Sequence, residues 1–188
     1  MNKFFLVSVC FFSCCCYSAT LHVKDENIVF ISKNVGTFNL YPKNNKYRVE
    51  QNESHISYSP KKDFAIIQKY DEGYLWLENG DKKFISTNYC DVVNMHNGCI
   101  ITTLDGQACG ANWVDNNQIT RGLTKIRFDI KSPVMEIIRG THVKKMSSYL
   151  PNDILSGKVD GLDYSLESYS QCYDLTQQQR DKLENLIN

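Results

Sequence analysis

The chain has 188 residues, with 21 basic and 21 acidic side chains, a balance that offers no broad field to attract nucleic acid or an anionic bilayer. Its length suits one domain with a substantial buried core. Beyond the N-terminal stretch, no segment is apolar enough to cross a membrane.

Met1-Asn2-Lys3 precedes an apolar run from Phe4 to Cys16, followed by Tyr17-Ser18-Ala19-Thr20. One positive charge, a 13-residue apolar run and small residues at its end have the three parts of a secretory signal. Cleavage is expected after Ser18, which places Cys16 and Ser18 at the small positions. A membrane anchor needs about 20 apolar residues, more than this run supplies. Phe12-Ser13-Cys14 resembles a lipobox only loosely, because two phenylalanines precede the small residue. The expectation is a cleaved signal over 1–18, one domain over 19–188, a periplasmic or secreted location, and no stable membrane insertion after cleavage. Lys3 leaves with the signal, so 21 acidic residues then face 20 basic ones. The pairs Lys61-Lys62, Lys82-Lys83 and Lys144-Lys145 are scattered and read as solvated surface.

From there the chain reads as short strands divided by turn chemistry. His22 to Ser32, Thr37 to Tyr41, Tyr47 to Glu50 and Ser54 to Tyr58 are candidate strands. Pro42-Lys43-Asn44-Asn45 and Ser59-Pro60-Lys61-Lys62-Asp63 are loops by composition. Phe64 to Tyr70 is a strand that Asp71-Glu72-Gly73 should end. Tyr74 to Leu77 meets Lys82 to Ile85 across Asn79-Gly80, and Val92 to Thr103 folds back at Asn97-Gly98. An Asn-Gly pair between such runs favours a type I′ hairpin, whose two central residues both need positive φ.

Asp105 to Gln118 breaks this rhythm and reads as a long irregular loop around Trp113. Leu123 to Ile130 alternates again, while Val134 to Ile138 fits a strand or a short helix. Met146 to Ser170 reads as largely irregular. At the end, Thr176 and Gln179 form a capping box ahead of Leu183, Leu186 and Ile187, which predicts a helix of about eleven residues. A helix that short needs docking, and the sheet is its expected support. The fold class is mainly β: an antiparallel meander closing into a sandwich or barrel, with a short C-terminal α-helix.

Four cysteines remain outside the signal: Cys90, Cys99, Cys109 and Cys172. An even number in an exported chain favours disulfides. In the hairpin at Asn97-Gly98, His96 would pair with Cys99 and Cys90 with Asp105. Cys90 and Cys99 would then lie about 20 Å apart along one face at ~3.4 Å per residue, beyond the roughly 7 Å between Cα atoms that a disulfide tolerates. This leaves Cys90–Cys109 with Cys99–Cys172, or Cys99–Cys109 with Cys90–Cys172. The first is preferred, because Cys109 can fold back toward the open end of the hairpin. A zinc site from Cys90, His96, Cys99 and Cys109 is the competing reading. It lacks the close Cys-x₂₋₄-Cys pairs such sites usually show, so no metal and no cofactor is expected.

His22, His55, His96 and His142 stand in no pattern with a Ser or Cys nucleophile, and no hydrolase, metalloprotease, P-loop or dinucleotide motif is present. Asn52-Glu53-Ser54 has the form of a glycosylation acceptor and Asn88-Tyr89-Cys90 a rarer form, which matter only in a eukaryotic secretory route. Abundant Lys, Asn, Ile and Tyr beside a short signal lean instead toward a bacterial one. The expected function is non-enzymatic binding of a protein partner, as an inhibitor, an immunity-type partner or a surface-interaction module, through Asn112, Trp113, Val114 and Asp115 of the long loop. The bland alternative for Trp113 is a lid folded back on the core. Two other functions compete: an exported hydrolase using Asp105 or Asp115, and a structural subunit of a surface assembly.

Overall fold

The computed structural model describes residues 19–25, 27–42, 48–49, 55–158 and 163–187. The expected signal and the Asn52 acceptor fall outside these residues. Among them, thirteen strands form three antiparallel sheets. The first contains β1 (Thr20–Lys24), β2 (Asn27–Ser32) and β3 (Gly36–Asn39). The second contains β4 (Arg48–Val49), β5 (Ile56–Tyr58), β6 (Phe64–Trp76), β7 (Lys82–Asn94) and β8 (Ile100–Asp105). The third runs in the order β13-β12-β11-β10-β9, over β9 (Asn112–Asp115), β10 (Gln118–Arg121), β11 (Thr124–Phe128), β12 (Val134–Arg139) and β13 (His142–Ser147).

The middle sheet is covered on both faces, which explains its near-continuous apolar strands. Ala65, Ile67, Val93 and Ile100 point into a core completed by Leu21, Ile28 and Phe30 of the first sheet. Their neighbours Phe64, Ile66, Val92 and Ile101 point into a second core, completed by Ile119, Ile126, Phe128 and Met135 of the third. The outer sheets bury one face each, so β11 alternates as its sequence predicts: Ile126 and Phe128 are buried, while Lys125 and Arg127 are exposed. Full burial of one such side chain contributes about 1.5–3 kcal/mol. The result is the sandwich-like stack of antiparallel sheets that the strand pattern predicts.

Several expectations are corrected. His22 to Ser32 is a hairpin, not one strand, because Asp25 takes a left-handed φ of 49°. Asp71-Glu72-Gly73 does not end β6, which runs on in register with β7 as far as Trp76. The long stretch from Asp105 holds a short helix α1 (Gly106–Cys109), then β9 and the start of β10. Met146 to Ser170 ends β13 and supplies α2 (Pro151–Leu155) and α3 (Leu166–Ser170). Val134–Arg139 is a strand.

Both Asn-Gly pairs sit at hairpin ends, but in loops of another type. Only the glycines take positive φ, 83° at Gly80 and 78° at Gly98, so neither is a I′ turn. Leu77 N–H donates to Asp81 O and Gly80 N–H to Leu77 O, each at 2.9 Å, closing a three-residue loop. At Gly98 the loop is longer: Asn94 N–H donates to Cys99 O at 2.8 Å. A bulge between Val92 and Val93 then shifts the register, so Cys90 faces Leu104 rather than Asp105.

Two disulfides close the frame in the preferred pairing, Cys90–Cys109 with a Cα separation of 5.4 Å and Cys99–Cys172 with 5.1 Å. Helix α1 turns Cys109 back toward Cys90, and Gly106 makes the turn possible: a Cβ there would lie 2.5 Å from the Asn88 carbonyl oxygen. The terminal helix α4 (Gln177–Ile187) starts with its capping box formed, Gln179 N–H donating to Thr176 Oγ1 at 3.2 Å and Thr176 N–H to Gln179 Oε1 at 3.0 Å. It docks not on a sheet but on α2 and α3, burying Leu183 with Ile154 and Tyr169.

Candidate functional site

β6 and β7 are each 13 residues long, and among the described residues only their inner halves have further strands beside them. β5 pairs with β6 up to Ile67, β4 up to Tyr70, and β8 pairs with β7 no further out than Tyr89. Past that point, among the described residues, the two strands continue alone from Asp71↔Thr87 to Trp76↔Lys82. Six pairs at ~3.4 Å each make an arm about 20 Å long. Asn79 locks its tip, donating from Nδ2 to Asp81 Oδ2 at 2.7 Å while its Oδ1 accepts from Asp81 N–H at 3.1 Å.

Paired residues share a face, so the arm presents two. One carries Tyr74 edge-on to Phe84, centroids 5.5 Å apart, and Trp76 under the Lys82 ammonium at 4.2 Å. The other carries Leu75 opposite Lys83, and Ile85 opposite Gly73. Tyr74 is 67 % exposed, Trp76 64 % and Phe84 52 %, and Leu75, Leu77 and Ile85 are also exposed. The charged residues from 71 to 87 are Asp71, Glu72, Glu78 and Asp81 against Lys82 and Lys83. Isolated two-stranded hairpins are marginal in water; this one is held by continuity with the middle sheet.

Immediately inside the arm's root lies a buried polar cluster. Lys69 Nζ and Asp91 Oδ2 are 2.9 Å apart, with both side chains wholly buried. Tyr41 O–H donates to Asp91 Oδ2 at 2.8 Å and Thr103 Oγ1 to Asp91 Oδ1 at 2.6 Å, while Thr103 Oγ1 also lies 3.0 Å from Tyr164 Oη. The Tyr41 and Tyr164 rings flank Lys69 Nζ at 5.7 and 5.8 Å. Burial, then the neighbouring Asp91 carboxylate, pushes both phenols well above the usual tyrosine range. Nothing in the motifs and spacings of the sequence pointed to this cluster. Its one signal is Asp91 standing inside the apolar run Cys90-Asp91-Val92-Val93, where a carboxylate needs partners.

The residues singled out from sequence are placed elsewhere. Asn112, Trp113, Val114 and Asp115 form β9, the edge strand of the third sheet, with Asn112, Val114 and Asp115 exposed. Trp113 is half-buried on the second core, edge-on to Phe128 at 6.0 Å, and its indole N–H donates to Ser57 Oγ at 3.0 Å. Asp115 Oδ1 accepts from the Asn116 N–H at 2.6 Å, a local turn bond, and Asp105 is the N-cap of α1. The three cysteines of the competing zinc reading are consumed in disulfides. His96 instead meets Asp63, Nε2 to Oδ1 at 2.8 Å, and Asp63 also accepts from Asn116 Nδ2.

An open cleft of about 1100 Å³ lies beside the first sheet, lined by residues that include His22, Lys24, Asn39, Glu167 and Glu184. Its lining mixes both signs of charge. No group of three or more His, Cys, Asp or Glu side chains is arranged to hold a metal among the described residues, and no helix there is long and apolar enough to cross a membrane. No family model, no curated protein and no solved structure matches this chain.

Proposed function

We propose that this is an exported, non-enzymatic binding protein that engages a protein partner through the β6–β7 arm. The observation that carries the reading is the exposure of six large apolar side chains, from Tyr74 to Leu77 and at Phe84 and Ile85, on an arm that is two strands wide among the described residues. Contiguous exposed apolar surface of this kind marks interaction sites, and tyrosine and tryptophan are the residues that dominate protein interfaces. Four acidic residues against two lysines argue against an anionic bilayer or nucleic acid as the occupant. Past Asn88 the outer edge of β7 has no neighbouring strand among the described residues, so a partner strand could add to it. The disulfides support export to a periplasmic or extracellular space. Exposed Asn112, Val114 and Asp115 on the β9 edge would be a separate, secondary site.

The test is site-specific photocrosslinking in the source cell, with a crosslinking amino acid at position 76 and, as control, at Leu123, which is 96 % exposed but lies off the arm. A discrete heterologous adduct from position 76 and none from position 123 is the expected result. Adducts from position 123 alone, or none from either, would remove the arm as the binding element.

A further inference from the structure

We propose that Lys69 and Asp91 become joined by an intramolecular amide bond after folding. The register sets up the contact: Ile67 faces Asp91 and Lys69 faces Tyr89, so the two side chains are diagonal neighbours on one face of adjacent strands. Nζ sits 2.9 Å from Oδ2 with no exposure to water on either side chain. As separate ions the pair bears a charge-desolvation penalty twice over; a neutral amide bears only the smaller cost of a buried polar group. Confinement at contact distance in a dry core replaces a bimolecular encounter with an effectively unimolecular one.

The chemistry balances within the pair. A proton passes from the Lys69 ammonium to the Asp91 carboxylate, leaving a free amine and a carboxylic acid. The amine lone pair attacks Cγ. Negative charge then grows on Oδ1, where the Thr103 hydroxyl already donates at 2.6 Å, itself backed by Tyr164. Tyr41 donates to Oδ2, the oxygen that departs. The Cγ–Oδ2 bond breaks as that oxygen takes a second proton from nitrogen, so one C–N bond forms, one C–O bond is lost and one water is released. Nothing is oxidised or reduced. The bond would staple β6 to β7 two residues inside Asp71, at the root of the arm.

Peptide mapping of the purified, reduced and alkylated full chain tests the bond directly. The expected result is no tryptic cleavage after Lys69, and a branched product joining the Lys69 peptide to the Asp91 peptide at one water less than their summed mass. Lys69→Arg should restore the two linear peptides. Complete cleavage after Lys69 with both peptides at full mass overturns the proposal, and so does a water loss that maps to an Asp-Gly pair such as Asp105-Gly106. The readout is taken on denatured peptides of the wild-type chain, so it stands even where the variant folds poorly.

Discussion

Cys99 and Cys172 lie 73 positions apart in the chain, yet their Cα atoms are 5.1 Å apart. The bond ties the tip of the β7–β8 hairpin to the segment between α3 and α4. Polar contacts at the same joint reinforce it: Ser168 Oγ donates to Gly98 O at 2.7 Å, and Asn97 Nδ2 to Gln171 O at 3.0 Å.

Removing the two disulfides should therefore have unequal effects. The loop closed by Cys99–Cys172 spans 73 residues and that of Cys90–Cys109 spans 19. Loop-closure entropy assigns about 4 kcal/mol to the longer and about 3 kcal/mol to the shorter. The double variant Cys99→Ser/Cys172→Ser should lose the larger amount in urea unfolding and expose the C-terminal helices first in limited proteolysis. Equal losses would mean that the helices are held mainly by Leu183 and its neighbours.

The cysteine arithmetic was legible because a two-stranded ladder has a fixed rise, and Cys90 and Cys99 cannot meet along it. The mainly β class was legible for the same reason, strand by strand. What was not legible was set by pairing over distance. Asp, Glu and Gly at 71–73 are poor strand formers, but thirteen consecutive partners on β7 override them. The Asn-Gly pairs marked the hairpin ends, while the bulge at Val92/Val93, which moves Cys90 opposite Leu104, leaves no mark in composition. Asp91 stands in an apolar run, but only the register brings Lys69 to it on one buried face. The hairpin that carries Tyr74, Trp76 and Phe84 was legible, but the exposure of these rings follows from which strands lie beside it among the described residues.

Trp113→Ala should be a stability variant first. The indole is packed edge-on to Phe128 and donates to Ser57, so truncation opens a gap on the second core. A full Trp-to-Ala loss in a core costs about 3–5 kcal/mol, and half-burial brings the expectation to about 2 kcal/mol. Thermal unfolding measures it. An unchanged midpoint with weakened partner capture would make Trp113 an interface residue instead.

Gly98→Ala should cost more than a surface change. Its φ of 78° disfavours any side chain, and a Cβ there would lie 2.6 Å from Phe38 Cζ and 3.0 Å from the Phe30 ring. Strain of about 1–2 kcal/mol from the backbone adds to displacement of two rings in the first core. Chemical denaturation of Gly98→Ala beside Gly80→Ala separates the terms, because Gly80 has a similar φ with nothing within 4 Å.

Stability should also fall in alkali. Tyr41 and Tyr164 have folded-state values raised above the ordinary 10.0, by burial first and by the Asp91 charge next. A group raised on folding binds its proton more tightly in the native state, so this contribution is complete below pH 10 and is lost as pH climbs above it. Unfolding midpoints should therefore drop above pH 10, with the phenolate absorbance of these two tyrosines appearing only with unfolding. Tyr41→Phe should flatten that slope, because one of the two raised phenols is gone. A native-state titration of all phenols near pH 10 would contradict the buried placement of both.

The arm should behave in the opposite way to the core. Trp76→Ser and Phe84→Ser remove side chains that are more than half exposed, and surface changes of this kind stay within about 0.5 kcal/mol. The thermal midpoint should hardly move. Because no strand among the described residues flanks this part of the hairpin, amide exchange over 74–84 should be faster than over 64–70, where β4 and β5 lie alongside β6. Both substitutions should reduce non-specific adsorption of the free protein, and Phe84→Ser should weaken the adduct formed from position 76, while a contact made by the β9 edge alone would persist. A large loss of stability would instead show that the arm folds back on its own domain, and its aromatics would then be cover rather than contact.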